Sequence, residues 1–378
     1  MEHYLDNAAT TVVCREAAEA ALTVMTEIYG NPSSTHAKGR QARQLLDRSR
    51  MVVSDTIGAR SPSEIIFTSC GSESDNLAIL SGAEIMKRNG RHIISSLVEH
   101  DAVRKSLDLL ESRGFEITRL KPDSTGRILP EAVASALRPD TILVSLMMVN
   151  NETGAVTDIH KISEILKFAG SKALLHTDAV QAFRKIPFQA RSLGADMISI
   201  SGHKIHAPKG IGALYVRSGL KLKPVIIGGE QENGRRAGTE STALIAAFSS
   251  ACEQDANIEH IRSIKKYASE LLTHRIPELR ILKTDAPHIL NISMPGWRSE
   301  VLMNYLESKN IYVSKSSACK QGRRSHVLEQ LGMSPAQIDG TLRLGFSRYT
   351  DKADIDALAD SLFEARNLAH RNIISHNA

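Results

Sequence analysis

Apolar residues fall in short runs separated by stretches of helical spacing through the first two thirds of the chain. Runs at 64–68, 92–96, 116–120, 141–149, 173–178, 197–201, 212–216 and 224–227 have the length and β-branched content of strands. Between many of them, apolar positions recur with helical period over 14–29, 40–57, 74–88, 102–113 and 159–168. This alternation predicts a mostly parallel sheet covered by helices on both faces. Ligands of such sheets sit at the carboxyl ends of the strands. Residues 241–273 read as one or two long helices. After Pro277 short strands (288–293, 311–314, 341–346) alternate with helices (300–308, 325–331, 352–370), which predicts a second, smaller α/β domain.

Candidate chemistry falls just past the strand-like runs. Lys204 sits in Ser201-Gly202-His203-Lys204, beyond the apolar run 197–200. A desolvated lysine amine loses its proton readily and can form a Schiff base, whereas an ordinary surface lysine in a turn does neither. Asp178 ends the run 173–178, as a carboxylate for a ring nitrogen or as a plain helix cap. Cys70-Gly71-Ser72 follows the run 64–68 and opens a helical stretch, where backbone N–H groups and a hydroxyl make an anion site. Ser72, His100, Asn151, Asp178 and Lys204 all follow strand-like runs, so the predicted sheet would gather them at one edge.

An ordered series of motifs adds to this. Asp6-Asn7-Ala8-Ala9-Thr10-Thr11, Gly30-Asn31-Pro32-Ser33-Ser34, Ser72-Glu73-Ser74-Asp75-Asn76, Glu99-His100 and Val149 to Gly154 are followed by His176 to Gln181, Ser201 to Lys204, Gly238-Thr239, Ser317-Ala318-Cys319 and Arg343. Together they resemble the NifS/IscS-type cysteine desulfurases, pyridoxal 5'-phosphate (PLP) enzymes of the class V aminotransferase group. The resemblance covers essentially the whole chain. It implies the aspartate-aminotransferase type of PLP-dependent transferase fold. The large domain would span 15–255, with 1–14 and 256–378 forming the small domain.

The resemblance also implies roles. Lys204 would carry PLP as a Schiff base, Asp178 would pair with the pyridine nitrogen, and Gln181 would bond the phenolic oxygen. His100 would stack on the ring and act as acid and base. Gly71, Ser72, Ser201 and His203 would bind the phosphate, and Thr239 would reach the phosphate of a neighbouring subunit, which implies a homodimer. Asn151, which would also contact the cofactor, and Arg343 would hold the substrate, Arg343 through a bidentate grip on a carboxylate. Asn31 would line the entrance, or serve as an ordinary turn residue. Cys319 would accept sulfur from L-cysteine as a persulfide and pass it to an iron–sulfur scaffold or a tRNA-thiolation enzyme. Lys320, Arg323 and Arg324 beside it favour the thiolate.

Composition narrows the alternatives. The 378 residues are 42% hydrophobic and carry a formal net charge of +5, a mild excess that does not point to direct nucleic-acid binding. No apolar run reaches membrane-spanning length, and Met1 to Asp6 lacks the basic start and apolar core of a signal peptide. Cys14, Cys70, Cys252 and Cys319 are widely spaced, so the cytoplasm is the expected compartment. His203 and His206 lack further ligands nearby in sequence, so no metal is expected. Several positions depart from the family pattern. Cys70-Gly71-Ser72 stands for the usual Gly-Ala-Thr, Ser316 for a glycine and Ala237 for a serine, and the stretch from Cys319 to Val327 is short. A selenocysteine lyase, another class V enzyme and a non-catalytic scaffold are the rival readings. The intact Lys204, Asp178, His100, Arg343 and Cys319 argue against the last of these.

Overall fold

A computed structural model of the chain describes residues 1–315 and 324–376. In chain order the first strands are β1 (His3–Tyr4), β2 (Ile65–Thr68), β3 (His92–Ser96), β4 (Glu116–Leu120), β5 (Thr141–Ser145), β6 (Leu174–Asp178), β7 (Met197–Ser201) and β8 (Gly212–Val216). They are followed by β9 (Arg280–Leu282), β10 (Ile289–Ser293), β11 (Ile311–Tyr312) and β12 (Thr341–Gly345). Seven of them form one sheet in the order β2-β8-β7-β6-β5-β3-β4. β5, β6 and β7 are buried along their whole length, as a sheet covered on both faces requires. The edge strand β4 starts with the exposed Glu116, a charge that discourages pairing with another chain.

β8 runs antiparallel to both β2 and β7, and the remaining pairs are parallel. β2 therefore points the same way as β7, and the carboxyl ends of β2, β3, β5, β6 and β7 share one edge. The chain moves outward from β3 to β4 and returns to β5 on the other side of β3. Such a reversal of strand order opens a crevice between the loops at that edge.

A second core gathers Leu5 with residues from Ile261 to Ala365. Its centre is the antiparallel sheet β12-β10-β9, packed by helices Ile258–Arg275, Ser299–Glu307 and Lys352–His376. β1 pairs with β11, and Asp6 continues that line by bridging Gly345 at the end of β12. The first residues of the chain are thus tied to its last third.

The expected strand at 224–227 is absent. Val225, Ile226 and Ile227 lie in a loop and are 41%, 41% and 85% exposed. β-branched residues favour strands only where a ladder and a face to pack on exist, and none is supplied here. The stretch 241–273 divides into Thr242–Glu253 and Ile258–Arg275, broken where Asn257 takes a left-handed conformation. Among the described residues, no helix is long and apolar enough to cross a membrane.

Candidate active site

The shared strand edge opens into a cavity of about 410 Å³, within the usual size of small-molecule sites. It is lined from β2 by Gly71 and Ser72, from β3 by His100, from β5 by Asn151, from β6 by Asp178 and Gln181, and from β7 by Ser201, His203 and Lys204. Arg343 enters from β12 and the second core, and the carbonyl-bearing segment Ala8-Ala9 closes one side.

Lys204 ends a single tight turn, Gly202–Lys204, directly after β7. Its Nζ donates to the carbonyls of Ala8 at 2.7 Å and Ala9 at 2.6 Å. Burial lowers its pKa from the ordinary lysine value to about 7, and the Arg343 charge adds to this, while Asp6 and Asp178 oppose it. An amine so placed is substantially neutral, and therefore nucleophilic, near neutral pH.

Helix Gly71–Met86 starts against β6 and β7. A Cβ on Gly71 would come within 2.6 Å of Val180 Cγ2, so only glycine lets the helix start this close. The preceding Cys70 makes no side-chain cap, which leaves the first N–H groups to other acceptors. Ser201 Oγ is buried beside them without a hydrogen-bond partner. A free helix start, an orphaned hydroxyl and Ser72 form a donor set suited to a phosphate.

Three carboxyls are buried beneath this edge. Asp178 Oδ1 accepts from the Val180 N–H at 2.9 Å. Burial raises its pKa, while charge on His100, that N–H and Lys204 pull it down. Asp75 is raised well above the carboxylate range by burial and by Asp178, and burial pushes Glu99 up to about 8. Glu99 therefore keeps its proton at neutral pH and Asp75 is shifted the same way, whereas Asp178 has the charges of His100 and Lys204 favouring its anion. His176, 3.6 Å from Asp75, is pushed down to about 3 by burial, so this contact is not an ion pair.

His100 caps helix Asp101–Ser112, its Nδ1 accepting from the Ala102 N–H at 3.2 Å. Nε2 then carries the proton at the rim of the cavity. Arg343 Nη2 pairs with Asp6 Oδ1 at 3.1 Å and Nη1 donates to the Asn151 carbonyl at 2.9 Å, while Nε is buried and unpartnered. Asn150 builds the turn, accepting from the N–H groups of Glu152 and Thr153, and Asn151 is left to line the cavity.

Two candidates stand apart from the cavity. Asn31 is exposed and accepts from the Ser33 N–H at 2.9 Å, an ordinary turn role. Thr239 is exposed and does not line its own chain's cavity. Cys319 lies outside the described residues. The ends of its segment are held next to the site: Ser314 donates to Asp6 at 2.7 Å and Ser325 to Glu152 at 2.5 Å. Sequence reasoning assigned no role to Asp6, Asp75, Glu99, Glu152 or the Ala8 and Ala9 carbonyls. Asp6, Asp75, Glu99 and Glu152 all sat inside recognised motifs. The carbonyls had no side-chain signal at all.

A buried lysine after one strand, a carboxylate after the next and a phosphate cradle at a helix start define a PLP-type site on an α/β sheet. Residues 3–358 match the family model for class V aminotransferases, and the chain belongs to this PLP-dependent family. A protein of Dictyoglomus turgidum named cysteine desulfurase IscS is 40% identical over 371 residues, covering 96% of this chain and 93% of its own. The solved structure of a NifS-like protein is 32% identical, with a TM-score of 0.91, and covers 97% of this chain and 100% of its own. That of SspA in complex with cysteine is 33% identical, with a TM-score of 0.81, and covers 93% and 100%.

Proposed function

We propose that this chain is a cysteine desulfurase that converts L-cysteine to L-alanine and moves the sulfur onto Cys319, then onto an acceptor protein. The observation that carries the reading is the meeting of Lys204, Asp178, His100 and the Gly71 helix start with Arg343 in one cavity. The names of the relatives and the cysteine bound to the SspA structure support the substrate.

Bound PLP would supply an electron sink conjugated to the substrate's α-carbon. Lys204 would hold it covalently, Asp178 would keep the ring nitrogen protonated, and Gln181 would donate to the phenolic oxygen. Gly71 N–H, Ser72, the free Ser201 hydroxyl and His203 would hold the phosphate. Arg343, with its unused Nε–H, would take the substrate carboxylate beside Asn151. His100 would move protons through Nε2. The Cys319 thiolate would attack the substrate sulfur, forming an S–S bond as the C–S bond breaks. The C–S electron pair stays with carbon and takes a proton, so cysteine plus a thiol becomes alanine plus a persulfide. Of the described residues before and after Cys319, Ser314 donates to Asp6, which pairs with Arg343, and Ser325 donates to Glu152, next to Asn151 in the chain.

Two buried clusters on the large sheet and a third around β12-β10-β9 support a division into residues 15–255 and residues 1–14 with 256–378, with Cys14, Ala286 and Val327 packing across the boundary into the first. A homodimer is the working assembly. The exposed Val225, Ile226 and Ile227 lie beside the segment that carries Thr239, joined to it by the Ala237 N–H to Ile226 carbonyl bond. Burial of such a patch favours association. Sedimentation should find a dimer, and a stable monomer with full activity refutes the assembly. The acceptor is an iron–sulfur scaffold or a tRNA-thiolating enzyme, to be found by capture on the persulfide form.

The function is tested by incubating the protein with L-cysteine and reductant. Alanine and sulfide should appear in equal amounts. Arg343→Ala should keep the PLP spectrum and lose about 2–5 kcal/mol of cysteine binding, because its partner charge is left unpaired. An unchanged apparent affinity would assign the carboxylate to another cation.

A further inference from the structure

His288 has no part in the reaction described above. It is fully buried immediately before β10, in the sheet whose β12 carries Arg343, and its carbonyl accepts from the Phe346 N–H at 2.8 Å. Its ring reaches across to the large sheet, where Nε2 lies 3.1 Å from Gln181 Oε1.

The direction of that bond is forced. Gln181 Nε2 donates to the Ala8 carbonyl at 2.9 Å, the same carbonyl that accepts from Lys204. A carbonyl can only accept, so the amide nitrogen faces Ala8 and the amide oxygen faces His288. The proton of His288 therefore sits on Nε2. Nδ1 is bare, buried and without a hydrogen-bond partner. Burial holds the imidazole well below its usual pKa, helped by the charges of Lys185, Lys265, Lys204 and Arg343. The neutral ring is favoured, and the Gln181 oxygen facing Nε2 selects its tautomer.

We propose that His288 is a positioning residue: together with the Ala8 carbonyl it holds the Gln181 amide in the one orientation that turns N–H, and not C=O, toward the phenolic oxygen of PLP. This rests on the PLP reading of the site. One Gln181 amide hydrogen is used by Ala8, and the other remains for the cavity that Gln181 lines. Without His288 only the Ala8 carbonyl still opposes the flipped amide, so the wrong orientation costs less. Its oxygen would then face the phenolic oxygen, placing two acceptors together.

The test uses the holoenzyme and follows the absorption of bound PLP against pH. His288→Met, which removes the donor at similar bulk, should shift the spectral midpoint and weaken PLP binding roughly three- to tenfold, the worth of one net hydrogen bond. His288→Gln, which keeps an N–H, should restore much of the wild-type midpoint. Gln181→Ala should give a similar shift, and the double variant should go no further than Gln181→Ala alone. A wild-type midpoint in His288→Met, or an equal added shift on the Gln181→Ala background, overturns the proposal while leaving the PLP reading intact. A wild-type protein with no PLP band overturns both. Should His288→Met fail to fold, ¹⁵N shifts of wild-type holoenzyme decide: a neutral ring protonated at Nε2 supports the lock, and one protonated at Nδ1 sinks it.

Discussion

Cys319→Ser protein is expected to bind PLP and L-cysteine normally yet release sulfide about 10³-fold more slowly, or not at all, under reductant. Loss of a nucleophile is among the largest effects a single substitution has on an enzyme. The other cysteines cannot take its place. Cys14 and Cys252 are buried, and burial pushes the Cys252 thiol up to about 12, so it supplies no thiolate. Cys70 is the one described competitor, because it is partly exposed and lines the cavity. It stands at the start of the helix that would cradle the phosphate, whereas Arg343, which would take the substrate carboxylate, comes from β12. Cys70→Ser should therefore leave sulfide release nearly intact. Mass spectrometry after cysteine treatment should find one added sulfur on the Cys319 peptide and none on the Cys70 peptide. A Cys319→Ser protein with the normal rate would replace the persulfide route with direct sulfide elimination.

The parts of the site that could be read in the sequence share one property: each is a side chain just past a buried apolar run. Lys204, Asp178, His100 and Ser72 stand at the ends of β7, β6, β3 and β2, and a mostly parallel sheet has to bring such ends together. The runs were legible because strands buried on both faces are almost wholly apolar. The reversed direction of β8 was not, since a five-residue apolar run has the same appearance in either orientation. Nor was the two-residue β1, which is too short to show a period. Contacts that join distant residues were also hidden. Asp6 meets Arg343 and Gln181 meets His288 only because the second core docks on the first. Arg343 itself was found by motif and not by pattern. The residues 224–227 misled because their composition is that of a strand while their surroundings offer no ladder.

Lys204→Ala should abolish covalent capture of PLP, and wild-type capture should have a pH profile set by this lysine. Only the neutral amine attacks an aldehyde. With a pKa of about 7, half of Lys204 is neutral at pH 7. An ordinary lysine at 10.5 would have roughly 10³-fold less neutral amine there. The rate at which apo-protein takes up PLP should therefore rise about tenfold per pH unit below 7 and level off above it, with the sign set by a folded pKa that is lowered. The cause is testable in its parts. Burial is the leading contribution, and the Arg343 charge is the second. Arg343→Ala should thus move the midpoint upward by part of the shift and leave most of it. Ala8 and Ala9 act in the other direction, since their carbonyls favour the ammonium that donates to both. After borohydride reduction, peptide mapping should find the cofactor on Lys204. A label on Lys209, or a capture rate that keeps climbing past pH 9, would mean that the buried amine at the end of β7 is not the one that holds the cofactor.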